Sequence, residues 1–184
     1  MIRIFDVVLS VFGLVLLSPV IFSLFLFCLF DTGAPIFRQV RVGRHKEPFF
    51  VIKFRTMHVD TVSMPSHLND GQTITKVGNY LRRFKLDELP QLWNVFVGEM
   101  SLVGPRPCLS SQHELIALRD SYHVYMVRPG ISGLSQIEGI DMSVPSLLAE
   151  TDAKMLQDLS VYEYFRYIFL TLRGKGQGDR VKRS

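Results

Sequence analysis

Residues 7–30 read VVLSVFGLVLLSPVIFSLFLFCLF: twenty-four positions without a charged side chain, bounded by Asp6 and Asp31. As a straight helix this run would extend about 36 Å, against a bilayer hydrocarbon core of roughly 30 Å. It is a membrane segment. A cleaved signal peptide fits poorly, because no small-x-small site follows the run and Phe25-Leu26-Phe27 precede Cys28. Ser18-Pro19 lies at its centre. Pro19 lacks the N–H that would bond to the Val15 carbonyl, and the Ser18 hydroxyl is placed to re-satisfy that region. Each half, about 12 residues or roughly 18 Å, is too short to cross alone. Two topologies follow: a kinked spanning helix, or a helix that enters, turns at Ser18-Pro19 and leaves on the same face. Arg38, Arg41, Arg44 and Lys46 favour a cytoplasmic body in both.

Outward from this stretch, the chain divides into a membrane part, 1–31, and a polar part, 32–184. A net charge of +4 suits contact with phosphates of lipids, nucleotides or nucleic acid. The two cysteines, Cys28 and Cys108, offer no metal or disulfide spacing. Asp31-Thr32-Gly33-Ala34-Pro35 is a turn-rich exit. Residues 36–42 and 49–55 alternate as strands of a β-hairpin across Gly43–Pro48, and Arg38, Arg41, Lys53 and Arg55 can form a cationic surface on it. His58–Gln72 is a polar, mobile loop whose histidines lack ligand spacing.

Thr75–Phe84 reads as a short helix ending in Arg82-Arg83, and a second helix runs from Glu88 to about Val97, stopped by Gly98. Between them stand Asp87 and Glu88. Taken alone, the pair reads as an N-capping Asp with a solvated neighbour; the same place, a helix N-terminus, also favours anions. Pro105 and Pro107 frame Arg106 in a rigid loop suited to a phosphate, although a structural turn with an exposed Arg has the same signature. Walker and dinucleotide-binding glycine patterns are absent.

In the last third, Arg128-Pro129-Gly130 is a turn and Pro145 opens a helix reaching about Leu159. Ser160 caps a final aromatic helix, which either lies in the membrane interface or packs on the core. Residues 174–184 form a flexible basic tail.

Several motifs, in order, resemble the bacterial sugar transferases, the monotopic phosphoglycosyl transferases, in their minimal form. They are Ser18-Pro19, Lys53-Phe54-Arg55-Thr56-Met57, the Leu81–Leu92 stretch with Leu86-Asp87-Glu88-Leu89-Pro90-Gln91, Met100–Pro107, and Pro129–Gly133. The resemblance implies an α+β protein: a re-entrant membrane helix over 1–31, broken at Ser18-Pro19, then a mainly helical catalytic domain over 32–184 with a small β-hairpin and interfacial helices. It implies transfer of a phosphosugar from a UDP-sugar to a polyprenol phosphate such as undecaprenyl phosphate, on the cytoplasmic face of the bacterial inner membrane. This would be the first membrane step of a glycoconjugate pathway.

By the family's pattern Asp87 is the nucleophile and a Mg²⁺ ligand, Glu88 is its catalytic partner, and Lys53, Arg82 and Arg106 are phosphate contacts. Arg128 is a further candidate. Membrane lipids, downstream glycosyltransferases and a second copy of the chain are candidate partners. Nucleic acid is not one, since no recognition motif is present. Two positions depart from the pattern: Lys85 replaces a frequent Ser, and Gly139-Ile140-Asp141 replaces a frequent Gly-Arg-Asn, so no sugar is assigned. The rivals are an inactive membrane-anchored scaffold and a lipid-phosphate phosphatase.

Overall fold

A computed structural model describes residues 2–61 and 73–176. The polar loop expected over His58–Gln72 and the basic tail therefore lie largely outside the described residues. The apolar stretch forms helices α1 (Ile2–Leu16) and α2 (Ser18–Thr32), bent by 64°. No single described helix is long and apolar enough to cross a membrane, whereas the bent pair is when taken together. Pro19 falls in the first turn of α2, and Ser18 Oγ donates to the Val15 carbonyl at 2.8 Å, replacing the bond that Pro19 cannot make.

Both ends of the bent pair are attached to the same polar body. At the start of α1, Arg3 donates to the carbonyls of Val95 (2.6 Å) and Phe96 (2.8 Å). One turn on, Asp6 is almost fully buried and accepts from Ser101 Oγ, the Leu102 N–H and Tyr164 Oη at 2.8–2.9 Å. Burial, with Asp6 adding to it, pushes the Tyr164 phenol up, so it stays a donor. At the other end, Gly33 closes α2 in the left-handed conformation, and Cys28 packs with Phe54 and Leu81 of the body.

The expected hairpin is present: β1 (Ile36–Val42) pairs antiparallel with β2 (Pro48–Phe54), Phe37 opposite Lys53. Phe49 and Val51 point inward against Val95 and Met100, and Lys53 shares their parity. Three of the four hairpin cations are engaged by neighbouring groups. Arg55 turns back to the carbonyls of Ala34 and Ile36, Arg41 bonds Gln39 and Pro107, and Lys53 reaches Glu88. Each satisfies a local carbonyl or carboxylate.

Helix α3 (Lys76–Arg83) starts at Thr75, whose Oγ1 accepts from the Gly78 N–H. Gly78 is required: a Cβ there would stand 2.1 Å from the Thr56 carbonyl oxygen. The next helix, α4 (Gln91–Val97), begins three residues later than the sequence suggested, with Pro90 at its N-cap. Asn94, fully buried, donates to Phe50 O and accepts from the Ile52 N–H, docking the free edge of β2 onto α4.

A second, two-stranded sheet went unread in the sequence. β3 (Ser101–Val103) runs parallel to β4 (Gly130–Ser132), with helix α5 (His113–Ser121) between them in the chain. Gly104 and Gly130 touch backbone to backbone; a Cβ on Gly130 would lie 2.0 Å from Gly104 N. Short α6 (Leu134–Glu138) leads to α7 (Pro145–Asp158) and α8 (Val161–Leu172). Ser160 caps α8 as expected. Helix α8 divides its aromatic residues between two faces. Tyr164 and Tyr167 are buried against the core, while Tyr162, Phe165, Phe169 and Leu172 form an exposed stripe at helical spacing. The architecture is α+β and mostly helical.

Candidate active site

The two carboxylates sit in a tight turn that bridges α3 and α4. Arg82 is in the last turn of α3; Lys85 then adopts a left-handed backbone (φ 57°), and Leu86–Glu88 make one 3₁₀ turn. Asp87 is therefore not the last residue before an α-helix, as the sequence suggested. The 3₁₀ turn runs on through Leu89 and Pro90, both helical in φ and ψ, into α4. Both carboxylates are buried, Asp87 at 6% and Glu88 at 9% exposure. Buried anions require partners.

Glu88 has two such partners. Lys53 Nζ, from β2, approaches Glu88 Oε1 at 3.3 Å, and Arg106 Nη2, from the Pro-framed loop after β3, donates to the same oxygen at 3.0 Å. Lys53 and Arg106 are themselves mostly shielded (side chains 15% and 19% exposed), so the pairing is stronger than at a free surface. The third cation is Arg82. Its Nε donates to Thr56 Oγ1 at 2.8 Å, while its Nη1 is buried with no hydrogen-bond acceptor among the described residues. A buried guanidinium N–H without an acceptor is costly unless a ligand supplies one. Two cations on the one Glu88 carboxylate leave that side of the site rich in positive charge.

Lys85, where the resemblance led us to expect Ser, donates through Nζ to the carbonyl of Lys175 at 2.9 Å. Burial pulls its ammonium below the ordinary lysine value; nearby Glu88 opposes this and Arg106 adds to it. A cleft opens beside Glu88, lined also by Arg41, Lys53, Gln91, Arg106 and Ile131.

Asp87, Glu88, Lys53 and Arg106 are thus brought together, with Arg82 anchored just beyond the end of β2. Arg128 is not among them. Its Nε donates to Gly98 O at 2.7 Å, at the C-terminal end of α4 and so at the opposite end of that helix from the dyad. Ser18 and Pro19 stay at the bend of the membrane pair. Thr56, Asn94 and Gln91 were not singled out from the sequence, and Arg41 only as one of the hairpin cations. Thr56 and Gln91 stood inside quoted motifs; Asn94 is a polar residue on an otherwise apolar helix face, and that was its only signal.

Among the described residues there is no cluster of three or more His, Cys, Asp or Glu side chains able to hold a metal ion. The donor set nevertheless fits Mg²⁺, which is commonly held by one or two carboxylates together with substrate phosphates.

A family model described as bacterial sugar transferase matches residues 1–176. UDP-glucose:undecaprenyl-phosphate glucose-1-phosphate transferase of Escherichia coli (strain K12) is 39% identical over 178 residues, which cover 91% of this chain and 38% of that protein. UDP-galactose-lipid carrier transferase of Erwinia amylovora is 38% identical over 154 residues, covering 74% of this chain and 32% of that protein. The uncharacterized sugar transferase EpsL of Bacillus subtilis (strain 168) is 36% identical over 172 residues, covering 93% of this chain and 85% of that protein. The chain thus spans less than two fifths of the first two relatives and most of the third.

Proposed function

Because this chain belongs to the bacterial sugar transferase family, we propose that it transfers a sugar phosphate from a UDP-sugar to a polyprenol phosphate and releases UMP. Undecaprenyl phosphate, for which relatives are named, is the proposed polyprenol. The observation that carries the reading is the buried Asp87-Glu88 pair, with Lys53 and Arg106 closing on Glu88 and Arg82 holding out an unsatisfied buried donor.

In the first step an Asp87 carboxylate oxygen bonds to the sugar-linked phosphorus. The phosphoanhydride P–O bond breaks, and its electron pair leaves with UMP. In the second step an oxygen of the polyprenol phosphate bonds to the same phosphorus and the P–O bond to Asp87 breaks. This yields a polyprenyl diphosphate sugar and restores the carboxylate. Arg82 and Arg106 offset the charge of the entering diphosphate; Lys53 and Arg106 hold Glu88 next to the nucleophile. Mg²⁺, when bound at Asp87, would supply further charge compensation on the diphosphate.

The bent α1–α2 pair is read as a re-entrant membrane element on the cytoplasmic face. The attachment of Arg3 and Asp6 at one end, and of Cys28 at the other, to a single body supports this topology. A spanning helix would carry its two ends apart. The exposed stripe of α8 supports lipid contact beside the site.

The reaction is tested with purified chain, undecaprenyl phosphate and a panel of UDP-sugars. Multiple turnovers of UMP release should require both substrates and Mg²⁺; without acceptor, UMP should stop at about one equivalent per chain. Release of inorganic phosphate in place of UMP would establish the phosphatase, and no release with any sugar would favour the scaffold. Topology has its own check. Ile4 is 67% exposed beside Arg3, and Cys28 and Cys108 are buried. Ile4→Cys should therefore react with an impermeant maleimide only from the cytoplasmic side; labelling from the opposite side would overturn the re-entrant reading.

A further inference from the structure

The loop that presents Arg106 is held through its backbone. Pro105 and Pro107 lack N–H groups and have fixed φ. Four successive carbonyls are each taken by a different donor. Pro105 O accepts from the Gly130 N–H (2.9 Å), Arg106 O from Arg119 Nη1 (2.8 Å), Pro107 O from Arg41 Nη1 (3.3 Å) and Cys108 O from the Val42 N–H (2.9 Å).

The two side-chain donors share one arrangement. Arg119 is 1% exposed; its Nε and Nη2 both go to Asp152 Oδ2 (2.9 and 2.5 Å), and Asp152 Oδ1 accepts from Ser135 Oγ (2.9 Å). Arg41 places Nε and Nη2 on Gln39 Oε1 (3.0 and 2.6 Å). In each case a two-point grip fixes the guanidinium plane and leaves Nη1 aimed at a carbonyl of the loop. A lysine cannot make such a fork. A buried ion pair such as Arg119–Asp152 is weak evidence for stability, since apolar residues of similar volume often do as well. Its geometric output, the bond to Arg106 O, explains better why an arginine stands there.

We propose that Arg119 and Arg41 are positioning residues for Arg106, gripping adjacent carbonyls of its loop so that its guanidinium meets the substrate phosphate in one place. This rests on the reading of Arg106 as a phosphate contact. Neither residue touches the reacting atoms; both act through the loop.

The test is a pair of double-mutant cycles on the full chain, read as UMP release. Arg119→Lys and Arg41→Lys should each lower kcat/KM by about tenfold or more, because misplacement of a positioned group by ~1 Å costs up to about a hundredfold. The loss should fall in the same parameter, kcat or KM, that Arg106→Ala changes. In the Arg106→Ala background either substitution should cost less than about threefold more, since its route of action is already gone. Equal losses in both backgrounds would overturn the positioning role while leaving the phosphate reading intact. Wild-type kinetics for Arg106→Ala would overturn the phosphate reading, and the proposal with it. Thermal unfolding is followed in every variant. If Arg119→Lys does not fold, the Arg41→Lys cycle, on the half-buried hairpin, decides between the same outcomes.

Discussion

Asp87→Asn is expected to reduce UMP release at least about a thousandfold, the scale of loss when a nucleophile is removed from a site that still binds substrate. The amide has nearly the volume of the carboxylate, so the 3₁₀ turn and its neighbours have little reason to move. What disappears is an oxygen able to form and release a bond to phosphorus. The wild-type chain given UDP-sugar without acceptor should gain the mass of one sugar phosphate, and Asp87→Asn should gain none. Substantial turnover by Asp87→Asn, or mass gain at another residue, would sink the covalent scheme. Glu88→Gln is a different perturbation, because Lys53 and Arg106 then face a neutral oxygen where they now share a carboxylate.

Asp6→Ala is expected to give the largest loss of stability. The carboxylate sits at the start of the membrane pair, almost fully buried, and accepts three hydrogen bonds from two other elements, helix α8 and β3, the strand that leads to the Arg106 loop. Its removal leaves a hydroxyl, a phenol and a backbone N–H unsatisfied in the interior. The cost is about 3 kcal/mol or more, or a fall in thermal midpoint of roughly 6–12 °C for a chain of this size. Asp6→Asn, which keeps an acceptor oxygen, should lose less. A midpoint for Asp6→Ala within a degree or two of wild type in detergent would show that α1 is not held to the body by this residue.

Local chemistry was legible in the sequence where a single residue decides it. Pro19 forced the break, and the Ser18 hydroxyl went to the very carbonyl, Val15, that proline leaves without its donor. The alternation of residues 36–42 and 49–55 showed the hairpin, and Ser160 and Pro145 marked helix starts. Legibility failed where the partner is distant. Three residues of β3 carry no periodicity to announce a parallel partner at Gly130, and Asp152 looks like any polar helix residue until α5 brings Arg119 to it. Arg128, named as a further phosphate candidate, donates through Nε to Gly98 O at the α4 terminus, a contact set by tertiary packing. The dyad was found from its neighbours in a motif, yet its conformation was misread, since Pro90 could equally have sat inside the helix's first turn.

The tethering of both arms of the bent pair to one body bears on how the protein reaches its membrane. Arg3, Asp6 and Asp31 bracket the apolar run and all lie at the end of the pair that meets the polar body. On the re-entrant reading none of them crosses the hydrocarbon, a passage that costs about 2.5–3.5 kcal/mol or more for each charge. Entry is then a one-sided insertion that requires no polar segment to be translocated. It also adds volume to one leaflet and little to the other, so binding should strengthen as lipid packing in that leaflet loosens.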